Sequence, residues 1–229
     1  MMTQHVDRAV VLAAGLGTRL KWLTNHRPKA LMLVAGEPVI THVIRRLVAQ
    51  GVQDIAVNTF HHADQMKHFL GDGSKFGCRL MISDEEHLLD SGGGVKKALE
   101  LLPGDGPFAI CNADVLSDIN VQQLAAVLPD AGVSIGLVPN PSHHLHGDFA
   151  LKQGYVMADG DEKFTFSGVS VWHEAGFEKY KVGDIFSLTQ PMRELITEKR
   201  CAGLVCRGQW FDIGRPRDLM RANRFMSVL

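Results

Sequence analysis

A doubly wound α/β fold, with a mostly parallel sheet flanked by helices, is what this sequence predicts, on two observations. Continuous apolar runs alternate with segments whose apolar residues recur at helical spacing. The first run, residues 9–14 (AVVLAA), is apolar at every position, as in a strand covered on both faces.

The elements follow in order. Pro38 opens a helix that puts Val39, Ile40, Val43, Ile44, Leu47 and Val48 on one side and stops at Gly51. Residues 55–58 read as the next strand, 64–70 as a short helix and 79–83 as a third strand. A helix over 95–102 leads to a buried strand over 108–111, which ends in Asn112, Ala113 and Asp114. A helix around 120–128 and a strand over 133–138 complete the alternation. Beyond Pro139, residues 149–151, 155–157 and 164–172 are strand-like with no helix between them, which predicts a small mixed β addition to the sheet. Residues 185–198 have a helical pattern despite Pro191, 203–206 read as a strand and 217–226 as a closing helix. We read one domain over 1–229, in which about 1–138 bind one ligand and about 139–229 close over another.

A chain of 229 residues has room for a sizeable core. Its 24 Lys+Arg against 25 Asp+Glu give a net charge of −1, which removes the usual argument for a nucleic-acid or anionic-membrane partner. No apolar stretch approaches the roughly 18 residues that span a bilayer, and the N-terminal segment lacks the long apolar region of a signal peptide. Cys78, Cys111, Cys201 and Cys206 are scattered without a C-x-x-C pair, so a reduced, cytoplasmic protein is expected. No protein partner is implied.

The loop leaving the first strand is Leu12-Ala13-Ala14-Gly15-Leu16-Gly17-Thr18-Arg19. Loops at the carboxyl ends of parallel strands are where α/β folds bind ligands. Glycines there let backbone N–H groups approach phosphate oxygens, and Arg19 adds a forked cation. The plain alternative is a tight strand-to-helix turn that uses glycine for positive φ. Two other phosphate loops fail. A dinucleotide fingerprint needs a third glycine where Leu20 stands, which argues against a dehydrogenase, and a P-loop needs Gly-Lys-Ser/Thr, whereas Lys29 lies downstream after Pro28.

The pattern continues through Leu20, Leu23-Thr24 and Pro28-Lys29-Ala30-Leu31. It extends to Asp90-Ser91-Gly92-Gly93-Gly94, Asn112-Ala113-Asp114 and Trp210-Phe211-Asp212-Ile213-Gly214. As a whole it resembles the nucleoside-triphosphate:sugar-1-phosphate nucleotidyltransferases, over essentially the entire chain. The resemblance implies a Rossmann-like, GT-A-like nucleotidyltransferase fold; many larger relatives carry an acetyltransferase or other extension, and from the length of 229 residues none is expected after Leu229. Gly147-Asp148-Phe149 behind a His-rich loop, and Phe166-Ser167-Gly168-Val169, are most similar to members acting on N-acetylmuramate 1-phosphate with UTP. Ala113 departs from the pattern, since the family usually carries glycine there.

The implied reaction joins a sugar-1-phosphate oxygen to the α-phosphorus of a nucleoside triphosphate and expels pyrophosphate. The nucleophile is already anionic, so no general base is required, and the chain offers no G-x-S-x-G elbow. Holding two polyanions together is the difficulty, and positioned cations answer it. The resemblance gives Arg19 the β- and γ-phosphates and Lys29 the α-phosphate, and makes Asp114 and Asp212 ligands of Mg²⁺, a hard cation suited to carboxylates. It assigns nucleotide contacts to Leu12, Ala13, Ala14, Gly15, Gly17, Thr18, Gly92 and Gly93. Sugar contacts fall to Asn112, Gly147, Asp148, Ser167 and Gly168. The cluster His143, His144 and His146 could bind a metal, touch the sugar phosphate or simply be solvated. Competing readings are a mannose-1-phosphate guanylyltransferase, another sugar nucleotidyltransferase, and a catalytically silent nucleotide-binding homologue.

Overall fold

The structure is a computed structural model and describes residues 5–227; residues 1–4, part of the N-terminal segment read above as no signal peptide, lie outside them. Its strands, in chain order, are β1 (Arg8–Leu12), β2 (Leu33–Val34), β3 (Glu37–Pro38), β4 (Asp54–Thr59), β5 (Arg79–Asp84), β6 (Phe108–Asn112) and β7 (Val115–Ser117). They continue with β8 (Val133–Val138), β9 (Phe149–Lys152), β10 (Tyr155–Met157), β11 (Lys163–Trp172), β12 (Cys201–Val205) and β13 (Trp210–Asp212). The helices are α1 (Val39–Ala49), α2 (Ala63–Leu70), α3 (Asp90–Leu99), α4 (Val121–Ala125), α5 (Thr189–Thr197) and α6 (Pro216–Met226).

Among the described residues nine strands form one sheet in the order β5-β4-β1-β6-β11-β8-β12-β10-β9. The strands β5, β4, β1 and β6 run parallel, while β11 lies antiparallel between β6 and β8. Residues 163–172, from the chain's second part, thus sit between two strands of its first part, and the sheet is continuous across residue 138.

The apolar runs have a direct cause. Along β1, Ala9 and Val11 join the core on one face while Val10 joins the core on the other. Ile55 and Val57 against Ala56, and Ala109 and Cys111 against Phe108 and Ile110, repeat the alternation. Each face is covered by helix, so neither parity can be polar. Each fully buried Val, Ile or Leu side chain contributes about 1.5–3 kcal/mol relative to exposure.

Four elements differ from expectation. β1 ends at Leu12, not Ala14, because the Ala13 N–H turns to the Asn58 side chain. α3 begins at Asp90, so the three glycines lie inside its first turns and not ahead of it. The stretch 185–188 is a non-helical strap; α5 begins at Thr189, and Pro191 falls in its first turn, where a missing N–H costs no hydrogen bond. Finally, β7 and β13 form a short antiparallel ribbon that local pattern did not predict.

Candidate active site

Leu12 stands in register with Asn58 on one side and Asn112 on the other, so three parallel strands end together at one edge. A cleft of about 540 Å³ opens there, lined by Leu12, Ala14, Gly15, Leu16, Ser91, Asn112 and Asp114 among others. Its floor is a buried polar relay. The Ala13 N–H donates to Asn58 Oδ1 at 2.7 Å, Asn58 Nδ2 donates to Glu85 Oε1 at 2.8 Å, and Glu85 Oε2 accepts from the Leu89 N–H at 3.1 Å. The relay ties the glycine loop to the start of α3. Neither Asn58 nor Glu85 was among the expected site residues. A polar residue closing an apolar strand, and the first Glu after the next strand, were the signals available.

The glycines divide by cause. Gly17 has φ +64° and a Cβ there would lie 2.9 Å from Thr24 Cγ2, so local packing demands it. A Cβ at Gly15 would meet nothing within 4 Å, so packing does not explain that glycine and its open side is the cleft. Gly92 and Gly93 correct an expectation, for their open sides are already filled. The Phe186 ring would lie 2.4 Å from a Cβ at Gly92, and the Asp184 carbonyl oxygen 2.1 Å from one at Gly93. Both N–H groups donate to the Phe186 carbonyl, at 2.9 and 3.2 Å. These two glycines seat the strap 184–188 against α3, whose Ser91 hydroxyl accepts the Leu188 N–H. The Cβ sides of both glycines are thus taken by this chain's own strap.

The four expected charged residues converge. Lys29, in a single turn after Pro28, forms an ion pair with Asp114 at the end of β6. In the β7–β13 ribbon Asp212 stands opposite Val115, and the Ile213 N–H donates to the Asp114 carbonyl at 2.9 Å, which brings the two acidic residues side by side. Burial pushes the Asp212 carboxyl above the ordinary carboxylate range; Asp114 adds to the shift, and Lys29 and Arg19 oppose it. The Arg19 guanidinium packs against Gly214, where a Cβ would lie 3.3 Å from Nη1 and 3.4 Å from Asp212 Oδ2. Among the described residues Arg19 has no hydrogen-bond or ion-pair partner, so its fork is available to an anion. Ala113, the departure from the family pattern, is buried in the core with Val115 and Ile213, so its methyl group belongs to the interior.

The expected sugar residues are less uniform. Asn112 lines the cleft, and Gly168, with φ +80°, lies so near that a Cβ would approach Asn112 Nδ2 to 2.6 Å. Ser167 and Gly168 occupy an irregularity in the β11–β8 register and not a turn. Ser167 itself is a correction. It is buried, its hydroxyl accepts the Val169 N–H at 3.2 Å, and its carbonyl accepts Trp210 Nε1 at 2.9 Å. Gly147 has φ +61° and abuts Asn140 and Lys163. Asp148 is engaged on both oxygens, by His144 Nε2 at 3.0 Å and the Phe166 N–H at 2.8 Å, so it anchors the His-rich loop to β11. Among the described residues no group of three or more His, Cys, Asp or Glu is arranged to hold a metal, the histidine cluster included. Asp114 and Asp212 are a pair, and they suit a cation whose remaining ligands are substrate oxygens. Their mutual repulsion is what a divalent cation would relieve.

Paired carboxylates, a guanidinium and an ammonium at the strand ends of a doubly wound sheet are the groups that phosphoryl transfer needs. Comparison with known proteins agrees: the nucleotidyl transferase family model matches residues 8–163, and the chain belongs to that family. The N-acetylmuramate alpha-1-phosphate uridylyltransferase of Neisseria meningitidis is 35% identical over 215 residues, covering 90% of this chain and 93% of that protein. The protein of the same name from Caulobacter vibrioides is 33% identical over 237 residues, covering 96% and 97%. In fold, a Bacillus anthracis crystal structure bearing a glucose-1-phosphate thymidylyltransferase name superposes with a TM-score of 0.85 at 17% identity, over 97% of this chain and 96% of that one. The chain is therefore a sugar-1-phosphate nucleotidyltransferase, with a nucleoside triphosphate and a sugar 1-phosphate as its substrates. Among the described residues no helix is long and apolar enough to cross a membrane.

Proposed function

We propose that this chain makes UDP-N-acetylmuramate and pyrophosphate from UTP and N-acetylmuramate 1-phosphate, with Mg²⁺ as cofactor. The observation that carries the chemistry is the meeting of Asp114 and Asp212 beside Lys29 and Arg19 at the mouth of the cleft. The nucleotide and the sugar are supported by the names of the two relatives.

The glycine loop receives the nucleotide, with Gly15 leaving the approach open. Arg19 holds the β- and γ-phosphates and then the departing pyrophosphate, through paired N–H donors. Lys29 draws the α-phosphate toward the incoming phosphate oxygen and offsets the charge that builds on it. A new P–O bond forms to the sugar phosphate as the bond to the β-phosphate oxygen breaks, and no proton has to move. Asp114 and Asp212 would hold the magnesium ion, which supplies charge neutralisation of the polyphosphate when bound.

The test is an array of nucleoside triphosphates and sugar 1-phosphates with Mg²⁺, read by pyrophosphate release. Highest kcat/KM for UTP with N-acetylmuramate 1-phosphate is expected. Preference for GTP with mannose 1-phosphate would replace the reading with guanylyl transfer, and no release with any pair would leave a silent homologue.

A further inference from the structure

Two clefts meet at the carboxylate pair. The nucleotide cleft reaches Asp114 and not Asp212; a second cleft of about 390 Å³ reaches Asp212 and not Asp114. The second lies between the start of the His-rich loop, the segment 207–212 and α6. Arg207, Arg221 and His143 line it, with Trp210 as one wall. Trp210 Nε1 donates to the Ser167 carbonyl, which ties that wall to the β11 irregularity bearing Gly168.

Both arginines are exposed, and among the described residues neither has a hydrogen-bond or ion-pair partner. Asp218, the other acid lining this cleft, lies on α6 beside Arg217, at 3.8 Å from its Nε. Lys29 and Arg19 already serve the reacting phosphates, so two further free guanidinium groups exceed what a neutral sugar 1-phosphate needs. They match a sugar with a second anionic group, and a guanidinium fork is the side chain that binds carboxylate bidentately.

We propose that Arg207 and Arg221 bind the carboxylate of an acidic sugar 1-phosphate in this second cleft and so set selectivity against neutral sugars. The inference rests on the sugar assigned above. It accounts for two guanidinium groups without partners among the described residues on the far side of Asp212 from the nucleotide, where the second substrate of a two-substrate reaction has to approach.

Calorimetric titration of the whole chain decides it, with N-acetylmuramate 1-phosphate and N-acetylglucosamine 1-phosphate, which differ by the carboxylate-bearing group. In Arg207→Gln and Arg221→Gln, the ratio of the two Kd values should move by roughly tenfold or more toward the neutral sugar. KM for UTP should stay within about twofold, and the melting temperature should not change, because both side chains are exposed. An unchanged ratio, whether both Kd values rise together or neither moves, overturns the inference. Failure of the wild-type chain to release pyrophosphate from UTP would overturn the uridylyltransferase reading, and the Kd ratio would still decide what the cleft binds.

Discussion

Lys29 and Asp114 form a half-buried ion pair that joins the nucleotide loop to the end of β6. The pair sits beside a second carboxylate, Asp212, whose charged form is disfavoured by burial and by Asp114. Under the proposed function, Lys29 would balance the site until a polyphosphate and a divalent cation arrive and then turn to the phosphate. Replacement of Lys29 by Met should lower kcat by about 10²–10³-fold with a smaller effect on KM for UTP, measured by pyrophosphate release.

Asp114→Asn and Asp212→Asn are near-isosteric, so each should leave the melting temperature close to wild type while activity falls by at least about 10²-fold at saturating Mg²⁺. Chelation of the metal should abolish turnover in the wild type and readdition should restore it. Near-normal rates in both variants would show that these carboxylates hold no catalytic cation.

Gly15 and Gly93 should behave oppositely. Gly15→Ala meets empty space, so stability should hold while KM for the nucleotide rises. At Gly93 the Asp184 carbonyl oxygen lies 2.1 Å from a Cβ position, and Gly93→Ala should cost about 1–3 kcal/mol by overpacking. Denaturant midpoints and nucleotide KM values measured on both variants separate the two effects.

Removal of the Glu85 side chain strands the Asn58 amide and the Leu89 N–H in the interior. Glu85→Ala should cost about 2–4 kcal/mol and raise KM for UTP, because the Ala13 loop loses its anchor. Glu85→Gln, which keeps one acceptor oxygen for the two donors and faces the other with an NH₂ group, should recover only part of both.

Burial pushes the His173 imidazole below the ordinary histidine range; Asp130 opposes the shift and Arg200 adds to it. Its Nε2 is buried without a partner among the described residues. The folded chain thus favours neutral His173. The stability this confers is present above the ordinary value of about 6.5 and lost as pH falls from there through the lower folded value. Wild type should lose more melting temperature between about pH 7.5 and about pH 5 than His173→Gln does, and equal losses would show that another group carries the acid sensitivity.

Much of the architecture was legible along the chain. β1, β4, β6 and β8 lie where apolar runs were bounded by glycine or polar residues, because a strand covered on both faces cannot hide its composition; β5, at the sheet edge, was legible from its shorter apolar centre. The extent of α5 was misread because residues 185–188 carry helix-like spacing yet bond to α3. Their alternative partners, Gly92 and Gly93, lie far away in sequence. The same distance made the glycine run look like a ligand loop, when its N–H groups and open sides were already taken.

By itself the sequence determined the sheet class and the glycine loop and marked out Arg19, Lys29, Asp114 and Asp212 as candidates, since periodicity and short ordered motifs are local properties. Only the tertiary structure decided which glycines face open space, that Ser167 turns inward, and that Asn58 and Glu85 brace the loop. It alone paired Asp114 with Asp212, through the register of β7 on β13. A three-residue ribbon has too little local pattern to announce itself, and it forms because the surrounding sheet and α6 bring its two strands together.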